Sequence, residues 1–149
     1  MPQSLAEPHT RVSAIARMAT LSPTDTPAWG RFTAPRMLAH VTDALRMSVG
    51  DLACAPKHIP FARTFPLKQL IIYWLPFPKG TPTAPELLAR EPAPWVQETA
   101  ACAALIERFA SGKTPSRWPA HPVFGQLSEQ QWGVLAYRHL DHHLRQFGR

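Results

Sequence analysis

The sequence predicts an all-α domain of four main helices, one short helix and long proline-rich connections. Three observations predict it. The 149 residues, 45% hydrophobic and 17% charged, suffice for one sizeable core and are too apolar for a disordered chain. Seventeen prolines against seven glycines fall in clusters, without a collagen period or a low-complexity tract. Between the clusters, apolar residues recur at helical spacing behind recognisable start signals.

In chain order, residues 1–10 read as a mobile N-terminal stretch of the single domain 1–149. A short helix over 12–21 ends ahead of Ser22-Pro23. The next starts at Thr33, tolerates Pro35 in its first turn, and runs through Met37, Leu38, Val41 and Leu45 to Gly50-Asp51. Residues 65–74 mix β-branched and aromatic side chains. Pro66 ahead of Leu67-Lys68-Gln69-Leu70 turns that segment towards a short helix rather than a strand. Residues 95–110 are rich in strong helix formers and follow Pro92 and Pro94. The last helix opens at Ser128 with a capping box, Ser128-Glu129-Gln130-Gln131, and runs to Gly148. The connections 51–64, 76–94 and 112–127 are longer than a plain bundle needs, which marks them as pocket walls or lids.

Net charge is +6 and the sequence pI is about 10.0, so nucleic acid is the first partner to test. The basic residues are scattered singly, with no basic stripe, zinc finger or basic region, which argues against specific nucleic-acid binding. Cys54 and Cys102 both stand in apolar company, as small buried thiols do, and can form at most one bridge. Residues 70–77 are the longest apolar stretch, far short of the roughly 20 residues that span a bilayer. With no apolar leader, the expectation is a soluble cytoplasmic protein without a membrane partner.

The histidines carry the chemical signal. With about 100° per residue and Trp132 at zero, His139 and His143 fall roughly 20° either side of the apolar stripe, and His142 lies about 80° away. Val134 and Leu144 interrupt the opposite face. Histidines at i and i+4 project from one helical face, close enough to share a divalent ion, and a bundle interior is a usual place for such a site. The alternative is a hydrogen-bonded pair of core histidines. His40, beside the Met37/Val41/Leu45 stripe, is the candidate third ligand, although periodicity alone does not select it.

Helix-borne His40, followed near the C-terminus by His139-x-x-His142-His143-x-x-Gln146, resembles the DinB-like superfamily of metal-binding four-helix-bundle proteins, within it an uncharacterised bacterial branch. Trp29-Gly30-Arg31, Phe65-Pro66-Leu67-Lys68, Pro76-Phe77-Pro78-Lys79-Gly80, His121-Pro122-x-Phe124-Gly125 and Asp141-His142-His143-Leu144-Arg145-Gln146-Phe147 carry the resemblance further. It implies a DinB-like bundle in which His40, His139 and His143 hold a divalent metal, zinc or nickel. Relatives include S-transferases acting on small thiols and a group of metal-dependent hydrolases. Those relatives read His-His-Arg-Gly-Gln where this chain has His142-His143-Leu144-Arg145-Gln146, so the arginine is displaced.

Around that triad, His142, His121, Asp43 and Gln146 are candidate pocket or supporting residues. For Asp43 and His121 the plainer expectation is a solvated side chain. His9, in the N-terminal stretch, and His58, in a loop between Lys57 and Pro60, have weaker claims on the site. Three imidazoles leave coordination positions open, which favours a metal-dependent transferase or hydrolase acting on a small molecule, a thiol among the candidates, with no general base assigned. A non-enzymatic, stress-related metal-binding bundle, with a homodimer as one form of it, is the second reading. A basic nucleic-acid-associated protein is the third.

Overall fold

The computed structural model describes residues 2–110 and 113–149. In chain order the helices are α1 (Pro8–Ala19), α2 (Ala34–Ser48), a short α3 (Leu67–Tyr73), α4 (Trp95–Glu107) and α5 (Glu129–Gln146). A 3-10 turn covers Pro85–Leu88, and a two-stranded ribbon pairs β1 (Ala120–His121) with β2 (Gly125–Gln126) in antiparallel register. The fold is an all-α bundle. Its four main helices form a ring in which α2 packs on α4 and α5, and α1 packs on the same two; α3 lies against α5.

The helix starts follow the chain's own capping chemistry. Thr33 Oγ1 accepts the Arg36 N–H at 3.3 Å, with Pro35 in the first turn of α2. Ser128 and Gln131 close the full capping box ahead of α5, at 3.2 and 3.0 Å. The core between the helices contains Met37, Leu38, Ile106, Phe109, Trp132, Leu140 and Leu144, each at most 1% exposed. Each such side chain stabilises the fold by about 1.5–3 kcal/mol relative to exposure. Val134 and Leu144, off the predicted stripe, are buried as well. The reason is that α1, α2 and α3 all pack on α5, so it has more than one inward face.

The N-terminal stretch expected to be mobile is packed instead. Leu5 is fully buried, and its N–H donates to the Gly133 carbonyl at 3.1 Å. Gly133 makes room for this contact, because a Cβ there would stand 2.3 Å from Ser4 Oγ. Arg11 then ties the segment down by donating to the Leu5 and Ala6 carbonyls at 2.8 and 2.9 Å. With its entry held, α1 begins at Pro8, four residues earlier than expected.

The proline-rich connections are walls with fixed anchors. Arg63 donates to the Val123 and Pro122 carbonyls, both at 3.1 Å, which joins the first connection to the third. The middle connection is held by Arg90, whose guanidinium bridges Asp43 of α2 (2.9 and 3.0 Å) and Glu98 of α4 (2.8 and 2.6 Å). Asp43 is therefore not the solvated carboxylate the sequence suggests. It is 2% exposed, because an arginine from a distant loop neutralises it. Cys102 is buried as expected, whereas Cys54 is partly exposed in the first connection; both are free thiols.

Candidate metal centre

Two helices build the centre. Helix α2 supplies His40 from its mid-length, and α5 supplies His139 and His143, one turn apart, from the side facing α2. The three rings form a near-equilateral triangle, with centroids 4.9 Å (His40–His139), 4.9 Å (His40–His143) and 4.8 Å (His139–His143) apart. They stand almost perpendicular to one another, at 79°, 78° and 87°. One ring nitrogen from each lies within 4.8 Å of the others. The Nε2 atoms of His40 and His139 face each other at 3.0 Å.

The donor set fits a divalent cation. Metal–imidazole distances of about 2.0–2.1 Å bring adjacent ligand nitrogens to roughly 3 Å of one another, the spacing seen between His40 and His139. His40 and His143 are buried and His139 is partly exposed. Among the described residues, the group has these three members and no carboxylate or thiolate.

Burial is the first cause of the low basicity of all three. It pushes His143 down to about 3, with the positive charge of a protonated His40 adding to the effect. It holds His139 well below the ordinary histidine value, with His143 and His40 next in importance. His40 is also lowered, although the Leu87 backbone and the Asp43 carboxylate pull the other way. At neutral pH the three rings are uncharged, as metal ligation requires.

A second layer sets one ring's orientation. Gln146, buried at the end of α5, accepts from His143 Nδ1–H through Oε1 at 2.8 Å. Its own Nε2 donates to the Trp29 carbonyl at 2.9 Å, so the amide cannot flip without breaking both bonds. With Nδ1 protonated, His143 turns the lone pair of Nε2 towards the other two rings. Gly30 allows this approach: its φ is +80°, and a Cβ there would stand 2.6 Å from Gln146 Nε2.

Aromatic rings enclose the triad. Phe32 stacks against His40 and His143 at 5.4 and 5.8 Å. Phe77, from the middle connection, reaches His139 and His142 at 6.5 and 6.1 Å. His142 lies outside the three-residue group, between Phe77 and Trp29, with its ring 5.1 Å from that of His143. Burial and the charge of Lys79 lower its basicity, against the pull of Asp141. Lys79 itself sits 4.3 Å over the Trp29 ring.

Two other candidates are placed elsewhere. His121 is packed against Phe124 and Trp132 rather than solvated, and its Nδ1 accepts the Val123 and Phe124 N–H groups at 3.0 and 3.2 Å. Burial pushes it down to about 4. It therefore shapes the ribbon and is not one of the converging donors. Asp43 is spent on Arg90 and Arg46 and makes no hydrogen bond to a histidine among the described residues. His9 and His58 are on the surface. Sequence reasoning did not reach Phe32 as a wall, nor Arg90 as the anchor of the middle connection. Their only signal was proximity to Trp29 and to a proline cluster.

A family model described as a protein of unknown function, DUF1569, matches residues 7–149. No curated protein and no solved structure matches the chain.

Proposed function

We propose, for a chain that belongs to the DUF1569 family, a metal-dependent enzyme built on a three-histidine divalent site. The observation that carries this reading is the triangle of His40, His139 and His143, with its three uncharged donors and no fourth histidine, cysteine or carboxylate joining them among the described residues. A closed structural site uses four protein ligands, whereas three leave room for substrate. The likeness of the His40 and His139-x-x-His142-His143 arrangement to the DinB-like superfamily supports the same assignment and favours zinc or nickel. The substrate class it favours is a small molecule, with a thiol first.

Bound there, a divalent ion supplies Lewis-acid polarisation and activates a water or a thiol as nucleophile at neutral pH. The chain's residues do the rest. Gln146 orients His143. Phe32, Phe77 and Trp29 exclude water from the rings and form an apolar lining for the substrate body. His142, with its ring 5.1 Å from that of His143 and its basicity lowered, is a side chain outside the triad able to take up a proton.

Elemental analysis of protein purified without added metal, followed by a thiol-transfer and hydrolysis screen of the loaded protein, tests the reading. One equivalent of zinc or nickel and a metal-dependent turnover support it. Protein that stays metal-free after incubation with either ion removes it. A metal that stabilises the fold but supports no turnover, with four protein ligands by X-ray absorption, moves the assignment to a structural bundle.

A further inference from the structure

Nine large apolar residues are exposed among the described residues, and six of them fall between positions 59 and 75: Ile59, Phe61, Phe65, Leu70, Trp74 and Leu75. Phe61, Phe65 and Trp74 are 74%, 81% and 68% exposed. Scattered surface apolar residues need no explanation, but this concentration in one short stretch does. Leu70 of α3 and Trp74, which follows the helix as its C-cap, are both exposed, while Ile72 between them is fully buried.

The stretch is held rigidly. Arg63 is tied to the Pro122 and Val123 carbonyls, Lys68 Nζ donates to the Gln126 carbonyl at 2.6 Å, and Arg138 donates to the carbonyls of Ile71, Ile72 and Leu75. The rings are thus presented outward by an anchored frame. Phe61 also has φ of +62°, a left-handed conformation that a bulky side chain rarely adopts. Its ring gains no burial in return. Backbone strain is thus kept at an exposed aromatic whose ring contributes nothing to the core.

Charge identifies what that is. From residue 52 to residue 85 the chain has no acidic residue and four basic ones: Lys57, Arg63, Lys68 and Lys79. A two-fold contact between copies of this face would set those cations against themselves. Nucleic acid would stack on the rings but gain little from Ile59, Leu70 and Leu75. Aromatic and aliphatic side chains on a segment with cations and no acid match an anionic lipid surface, where rings sit at headgroup level and aliphatic groups enter the acyl boundary.

We infer that the 59–75 stretch docks the protein peripherally on anionic membranes, a partner that the sequence alone did not lead us to expect. No helix among the described residues is long and apolar enough to cross a membrane, and surface docking needs none.

Co-sedimentation with vesicles of phosphatidylglycerol and phosphatidylcholine, against vesicles of phosphatidylcholine alone, tests this. The full chain should bind the anionic vesicles at least tenfold more strongly, and less so as salt rises. Trp74→Ser and Phe61→Gly should each lower that partitioning about tenfold or more. Phe61→Gly relieves the left-handed backbone, so its Tm should stay level or rise while binding falls; this separates docking from folding. Absence of binding to anionic vesicles, or full binding by Phe61→Gly and Trp74→Ser, overturns the inference. So does a single-stranded oligonucleotide or a self-associated dimer that depends on these rings when vesicles do not bind.

Discussion

Replacing Gln146 tests the link between the fold and the triad most directly. Gln146→Leu keeps the side-chain volume but removes both polar ends. It leaves His143 Nδ1–H without its acceptor and the Trp29 carbonyl without its donor. Each unsatisfied buried group costs about 1–3 kcal/mol, and Trp29 is partly exposed, so water recovers some of its share. The metal-free protein should lose about 2–4 kcal/mol in urea denaturation. Loss of the group that orients a ligating imidazole should also weaken zinc binding 10–100-fold, read by competition with a fluorescent chelator. Gln146→Glu separates the two roles. One carboxylate oxygen still accepts from His143, while the other faces the Trp29 carbonyl, acceptor against acceptor. Stability should fall by about 1–3 kcal/mol with zinc affinity kept or raised. A folded Gln146→Leu protein that binds zinc within twofold of the parent would refute the orienting role and put His143 in doubt as a ligand.

Alanine at His40, His139 or His143 should each largely abolish zinc binding and the stabilisation that saturating zinc provides, whereas His9→Ala and His58→Ala should change neither, as thermal melts with and without zinc will show. His142→Ala should fold and bind zinc within about tenfold of the parent; if it empties the site, the three-ring assignment is incorrect. Acid should destabilise the metal-free protein. Burial holds His121 at about 4 and His143 at about 3, so as pH falls below about 6.5 the unfolded chain takes up protons that the folded chain refuses. Stability is then lost from about pH 6.5 down towards those lowered values, roughly 2 kcal/mol for each ring by pH 5, and a urea midpoint that is flat between pH 7.5 and 5 in chelator would contradict it. Arg90→Met should cost about 3 kcal/mol, because Glu98, 2% exposed, keeps its charge without a counter-ion and Asp43, equally buried, keeps only Arg46. Glu98→Gln added to Arg90→Met should recover part of that loss in the same thermal melts.

The helices and one edge of the site were legible in the sequence for local reasons. Thr33 and Ser128 cap the helices they precede, and such caps depend only on residues within one turn. The i, i+4 spacing put His139 and His143 on one face because helical geometry is the same in any tertiary context. The register that set His142 aside follows from the same geometry, and the structure keeps that ring out of the triangle. His40 lay beyond this reasoning. No periodicity in α2 singles it out, and only the packing of α2 against α5 brings its Nε2 to 3.0 Å from that of His139. Long-range polar contacts were equally hidden. Asp43 reads as a solvated carboxylate until Arg90, 47 positions away, is folded over it. His121 reads as a loop histidine until Phe124 and Trp132 close around it. The N-terminal stretch looked loose because it lacks helix signals, yet Gly133 opens a slot in α5 that buries Leu5. Local pattern determined which segments are the main helices and one inward face of α5, while the burial of Val134 and Leu144 on its other side followed from the helices that pack there. Chain topology decided which buried donors meet, because those distances depend on how distant helices and connections pack.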